Sequence, residues 1–332
     1  MSMTEQREQI TPLLVADNIK KHYKQSAKLF GLGRSVVKAV DGVSFDLMPG
    51  ETLSLVGESG CGKSTTGRAV LYLERPTEGQ VRYNGQDLST LSGEQLRKLR
   101  KDMQIVFQDP YSALNGRMKV RDILTEPFRI HQLHPGQEEQ QARQLLEMVG
   151  LSPASLEKYP HEFSGGQRQR IVIARAIALR PQFIVCDEPV SALDVSVQSQ
   201  IVNLFGQLQK ELDLTYLFIS HDLSVVRHVS DRVGVMYLGK MVELGHKAAV
   251  FDQPLHPYTQ ALMSAIPIPN PKIQRQREKI TLRGELPSPL NPPTGCRFHT
   301  RCPWAVEQCR QIEPEWREAR PDHWVACHLV DA

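Results

Sequence analysis

Residues 53–66 read LSLVGESGCGKSTT. A short apolar run precedes Gly57, four residues separate it from Gly62, and Lys63 and Ser64 follow before helix-compatible residues continue to Leu73. That order is strand, glycine loop, helix. In this geometry consecutive backbone N–H groups and the helix N-terminus face a polyphosphate, and the glycines let the backbone approach it closely. Lys63 would reach the terminal phosphates. The Ser64 hydroxyl would stand at a Mg²⁺ ion that takes its other oxygens from phosphate and water. The fold class this implies is α/β, built around a P-loop.

A second apolar run, FIVCDEP at 183–189, ends in Asp187 and Glu188. A parallel strand buried on both faces has this composition, and its carboxylates emerge at the strand's C-terminal edge, where ligands bind in open α/β sheets. Asp187 is placed to hold Mg²⁺ and Glu188 to polarise an attacking water. The next candidate strand, TYLFIS at 215–220, leads to His221 and Asp222, further polar groups at the same edge. Between the glycine loop and the Asp-Glu strand, residues 109–180 read as mostly helical. EEQQARQLLEMVG at 138–150 has helical apolar spacing, and SGGQRQRIVIARAIALRP at 164–181 starts with Ser164 as N-cap and stops before Pro181. A Ser-Gly-Gly helix start is also an anion-binding geometry, suited to a nucleotide held by another subunit.

The chain has 332 residues, 40% hydrophobic, with a formal net charge of +3. It is large enough for two domains, or for one with an appendage, and its bulk charge gives no argument for nucleic acid or an anionic membrane surface. The basic run LRKLRK at 96–101 lacks interleaved aromatics and reads as a solvated helix face. No apolar leader opens the sequence, and no stretch approaches the about 18 uninterrupted apolar residues of a spanning helix. The expected location is cytoplasmic, where the six cysteines should not form structural disulfides. Cys61 and Cys186 read as small buried side chains.

Together these motifs resemble the ATP-binding-cassette (ABC) ATPases over about residues 13–253. GESGCGKST, residues Gly57, Glu58, Ser59, Gly60, Cys61, Gly62, Lys63, Ser64 and Thr65, resembles Walker A. Gln108 in VFQDP resembles the Q-loop, and FSGGQ, Phe163 to Gln167, the family signature. IVCDE resembles Walker B, SALD (Ser191 to Asp194) the D-loop, and His221 the switch histidine. Phe163, Val190 and Gly116 depart from the commonest family residues without removing a catalytic group. The resemblance implies a P-loop core of RecA type with antiparallel β and helical signature subdomains. It further implies a head-to-tail dimer that holds ATP between Walker A of one subunit and Ser164, Gly165, Gly166 and Gln167 of the other. Tyr23 would stack on adenine, Gln108 would sense Mg²⁺ and γ-phosphate, and Asp194 would line the shared site. Ser64, Gln108 and Asp187 would hold Mg²⁺, while Glu188 and His221 would run hydrolysis.

After Asp252 the composition changes: nine prolines fall between Pro254 and Pro293, with QRQREK among them, so residues 254–332 are expected to begin as an extended segment. HPYTQALMSAIP at 256–267 and GELPSPLNPP at 284–293 resemble the tails of ATPases that energise oligopeptide, dipeptide, nickel or glutathione import, closest to the second-ATPase members of the peptide permeases. Partners implied by this resemblance are a paralogous ATPase subunit or a second copy, two membrane permeases and a periplasmic or extracellular solute-binding protein. Nucleic acid is not among them. The chain would sit peripherally on the cytoplasmic face of the inner membrane. A soluble ABC ATPase acting on nucleic acid or ribosomes, with a zinc-type tail, is the alternative.

Cys296, Cys302, Cys309 and Cys327 form C-x5-C-x6-C-x17-C. Four thiolates suit zinc or an iron–sulfur cluster, and this spacing fits the common template of neither. His299, His323 and His328 lie close enough in sequence to replace one of them, and Phe298, Trp304 and Trp324 could shield a cluster. The resemblance favours a 4Fe–4S cluster in a short C-terminal domain, with zinc as runner-up.

Overall fold

The computed structural model of the chain describes residues 11–24, 36–266, 280–282 and 284–330. QRQREK, the opening residues and residues 25–35 lie outside them. The strands, in chain order, are β1 (Leu14–Lys24), β2 (Val36–Leu47), β3 (Thr52–Val56), β4 (Glu78–Tyr83), β5 (Gln86–Asp87) and β6 (Met103–Val106). They continue with β7 (Phe183–Asp187), β8 (Thr215–Ile219), β9 (Arg232–Tyr237), β10 (Lys240–His246), β11 (Arg317–Arg320) and β12 (His323–Val325).

β3, β7 and β8 are buried at all five of their positions, as central parallel strands covered on both faces should be. They form the centre of an eight-stranded sheet in the order β11-β12-β10-β9-β3-β8-β7-β6. The neighbours from β9 to β6 are parallel. A second, antiparallel sheet has the order β2-β1-β4-β5. It shares a core with β3 through Leu14, Ile19, Val43, Leu47, Leu53 and Leu55. Between β6 and β7 stand helices Pro110–Ala113, Val120–His131, Glu138–Met148 and Gly165–Ile177. Leu124, Phe128, Leu146 and Ile171 close their core. LRKLRK behaves as expected: Leu96 is buried while Arg97, Lys98 and Arg100 are exposed.

The tail departs from expectation in two ways. Residues Pro257–Ser264 form a helix, not an extended segment. Proline at the first helical position loses no hydrogen bond, His256 caps the N-terminus through Tyr258 N, and the next seven residues contain no proline. The tail also continues the eight-stranded sheet: β12 pairs antiparallel with β10, and β11 with β12. Glu243 of β10, fully buried, accepts from Leu255 N at 2.8 Å and His256 N at 2.9 Å, and its Oε1 lies 2.7 Å from His323 Nε2. A buried carboxylate needs such partners, and here they tie both ends of the tail to one strand.

Candidate functional site

The loop after β3 turns through three glycines of positive φ, Gly57 at +149°, Gly60 at +78° and Gly62 at +105°. A Cβ on Gly57 would come 2.2 Å from Met236 O, and on Gly62 2.2 Å from Ala39 O, so both positions require glycine. Gly62 is the N-cap of helix Lys63–Val70. Lys63 is buried and its Nζ donates to Gly57 O at 2.8 Å and Glu58 O at 3.1 Å, which holds the ammonium across the loop. Ser64 Oγ donates to Asp187 Oδ1 at 2.7 Å. Burial raises the Asp187 carboxyl above its ordinary range, against the lowering effects of the Ser64 hydrogen bond and the nearby Arg68 and Lys63 charges. These oxygens are hard donors of the kind Mg²⁺ takes.

Glu188, the next residue, sits at φ +48°, a left-handed conformation unfavourable for a side-chain-bearing residue. Its N–H donates to Ile219 O at 2.9 Å and its carbonyl accepts from Ser191 Oγ at 3.0 Å, so neighbouring strand and turn hold it there. Gln108 Nε2 donates to Glu188 Oε2 at 2.9 Å, and His221 Nδ1 lies 3.1 Å from the same oxygen. Gln108, Glu188 and His221 each follow the C-terminal end of a parallel strand, β6, β7 and β8, which is why distant residues converge. Asp222 stands apart from this group and caps helix Leu223–Val229 through Ser224 N and Val225 N.

Tyr23 stands at the end of β1, with its hydroxyl bonded to Glu74 and Lys21 Nζ 5.2 Å from its ring centroid. Burial raises its hydroxyl above the usual tyrosine range, the Glu74 carboxylate adds to the rise, and the nearby Thr65 and Arg68 side chains oppose it. Its ring therefore borders the helix that starts at Lys63. Ser164 caps helix Gly165–Ile177 in a reciprocal box: its Oγ accepts from Gln167 N at 3.3 Å, and Gln167 Oε1 accepts from Ser164 N at 3.0 Å. The hydroxyl proton stays available to a ligand. No hydrogen bond between described residues joins this segment, or Asp194 at the exposed start of helix Val195–Leu212, to the phosphate loop of the same chain. Cys61 and Cys186 are fully buried, as expected.

The four tail cysteines influence one another. Burial raises the Cys296 thiol to about 11 and raises Cys302 and Cys327, and neighbouring tail thiols add to each shift. Yet no group of three or more His, Cys, Asp or Glu among the described residues could hold a metal ion. The expected inorganic centre, 4Fe–4S or zinc, is not supported. Each nearby histidine has one ring nitrogen committed: His299 Nδ1 lies 2.8 Å from Cys296 O, His328 Nε2 2.9 Å from Ile312 O, and His323 Nε2 2.7 Å from Glu243 Oε1. Of the supposed shield, Phe298 is buried, but Trp304 is exposed and Trp324 stacks on Trp316.

Two residues at the loop had no legible role in the sequence. Tyr258 Oη accepts from Glu58 N at 2.9 Å, and Arg301 pairs with the Glu58 carboxylate. Tyr258 lies inside HPYTQAL, a motif whose pattern carries no chemistry of its own. Arg301 carries no local signal, since its partner is 243 residues away.

Residues 40–191 match the ABC transporter family model, and residues 242–309 match the oligopeptide/dipeptide transporter C-terminal region. The oligopeptide transport ATP-binding protein AppF of Bacillus subtilis is 58% identical over 96% of this chain and 97% of its own length. The oligopeptide transport ATP-binding protein OppF of Salmonella typhimurium is 51% identical over 98% of each. Among solved structures, the dimeric ATP-binding cassette MJ0796 bound to ADP and Pi aligns with a TM-score of 0.62 at 28% identity, covering 70% of this chain and 98% of that one. The cbiO1 protein of Clostridium perfringens aligns with a TM-score of 0.62 at 25% identity, over 73% of this chain and 91% of its own. With relatives this close along nearly its whole length and a phosphate loop and acidic strand edge in register, the chain belongs to the ATP-hydrolysing subunits of ABC transporters, in the branch that carries the oligopeptide/dipeptide transporter C-terminal region.

Proposed function

We propose that this chain energises import of di- or oligopeptides, or a similar small solute, through two separate membrane permeases supplied by a solute-binding protein. It works as half of a head-to-tail ATPase dimer, with a paralogue or a second copy, on the cytoplasmic face of the membrane. Consistent with this, no helix among the described residues is long and apolar enough to cross a membrane. The observation that carries the reading is the Glu188 carboxylate, bracketed at Oε2 by Gln108 and His221 beside the Ser64–Asp187 pair.

ATP lies along the loop from Gly57 to Thr65, with its adenine against Tyr23. Lys63 exchanges loop carbonyls for β- and γ-phosphate oxygens. Ser64, Asp187 and Gln108 would hold Mg²⁺, whose chemistry there would be to neutralise charge on the phosphates. Glu188 Oε1, the oxygen not shared with Gln108 and His221, orients the attacking water, and His221 fixes the γ-phosphate. Ser164 and the helix N-terminus behind it face the γ-phosphate of the partner's nucleotide. Two ATP molecules therefore complete an interface that neither chain forms alone. An inorganic centre at the tail cysteines forms no part of this reading.

Co-purification from detergent extracts tests it. Permeases should accompany the tagged chain, and peptide-loaded binding protein should stimulate its ATPase in vesicles. Nucleic acid in place of permeases would overturn the transport reading.

A further inference from the structure

We infer that Arg301, in the cysteine-bearing tail, is a positioning residue for nucleotide binding, acting through Glu58 of the phosphate loop. Its guanidinium makes a two-pronged pair with that carboxylate, Nη1 to Oε2 at 2.7 Å and Nη2 to Oε1 at 3.0 Å. Arg301 is 9% exposed at its side chain and Glu58 29%, so the pair is partly withdrawn from water. A fork of this kind fixes direction as well as charge.

The surroundings hold the fork in place. The guanidinium lies 5.9 Å from the centroid of the Tyr237 ring. Tyr237, Tyr258 and Phe298 contact one another at centroid distances of 4.8, 5.2 and 5.3 Å. Phe298 belongs to the turn that carries Arg301: its carbonyl accepts from Arg301 N and Cys302 N, both at 3.0 Å. Arg297, at the start of the same turn, bonds Leu238 O and pairs with Asp41. Tyr258 meanwhile receives the Glu58 N–H at 2.9 Å. Both the backbone and the side chain of one phosphate-loop residue are thus held by the tail.

Two effects follow for a triphosphate. With Glu58 N–H committed to Tyr258, the loop is held in one turn, leaving the amides after it to face the ligand. With Glu58 paired, its negative charge is cancelled beside a site that takes up a polyanion. Removing the guanidinium leaves a bare carboxylate at the lip of that site, where repulsion acts on binding more than on the bond-breaking step. This inference rests on residues 57–64 being the ATP-binding loop.

The test measures Mg²⁺–AMP-PNP affinity and steady-state ATP hydrolysis on the full chain. Arg301→Met keeps the bulk of the side chain and should weaken analogue binding on the order of tenfold, with KM rising and kcat little changed. Glu58→Gln placed on Arg301→Met should restore most of the affinity, because no charge remains to repel phosphate. Arg301→Lys, which retains charge without the fork, should fall between and also serves if the methionine variant does not fold. Unchanged affinity in both single variants, or a loss that Glu58→Gln does not relieve, overturns the inference. Lys63→Ala separates the underlying reading: if it binds the analogue as well as wild type, the loop assignment itself fails.

Discussion

Gln108 and Glu188, 80 residues apart in sequence, meet at 2.9 Å. The contact joins the strand leading into the helical region to the carboxylate best placed to orient water. Under the proposed function, Gln108 would carry a change at the nucleotide to the helical region. Glu188→Gln should retain ATP binding while hydrolysis falls on the order of 10² to 10⁴-fold, because the amide cannot take a proton. Single-turnover assays with labelled ATP check this, and near-normal turnover would remove Glu188 from its role.

Asp187 has a carboxyl raised by burial and a hydrogen bond from Ser64 that a metal would displace. Protonation competes with Mg²⁺ for the carboxylate, and the upward shift moves that competition toward neutral pH. As pH falls, the Mg²⁺ requirement for nucleotide binding should therefore begin to rise at a higher pH than an ordinary carboxylate would produce. Asp187→Asn should need more Mg²⁺ throughout and lose this pH dependence. A wild-type requirement with the same pH dependence as Asp187→Asn would count against the assignment.

His256 is fully buried, and burial lowers its pKa to about 4, only partly opposed by the Glu243 charge. The unfolded imidazole takes up its proton near pH 6.5 and the folded one near 4, so the unfolded state binds more protons in between. Stability from this group is complete above about pH 6.5, declines as pH falls toward about 4, and by then has lost about 3 kcal/mol. Asparagine can cap a helix without titrating, so His256→Asn should flatten that slope in urea unfolding. A variant with the wild-type slope would assign the acid sensitivity elsewhere.

Glu243 has no exposure and serves three hydrogen bonds, two of them to backbone N–H groups that have no water to turn to. Glu243→Gln replaces an acceptor-only group by one whose amide protons oppose those donors. Chemical denaturation should show a loss of about 3 kcal/mol. An unshifted midpoint would mean that the tail is held by other contacts.

What could be read beforehand was what is local. Gly57 to Ser64 carries its backbone requirements in its own sequence, and FIVCD is recognisable as a central strand because a parallel strand is apolar on both faces. Ser164 as a cap followed from three residues. Arg301 and Glu58 were invisible as a pair, since a charged surface-type residue gives no sign of a partner brought near by sheet pairing. The helix beginning at Pro257 is hidden among the prolines around it, because proline position, not number, decides where a helix can start. The spacing of the tail cysteines suggests ligation, whereas whether four thiols converge on one point depends on tertiary packing.

The pairing of β12 with β10 bears on synthesis. On a ribosome, β10 emerges long before His323–Val325, and until those residues appear one side of the growing sheet presents unpaired N–H and C=O groups to the cytosol. A stalled or clipped chain would keep that edge bare and invite strand addition from another molecule. The tail strands therefore act as a built-in cover for the edge of β10.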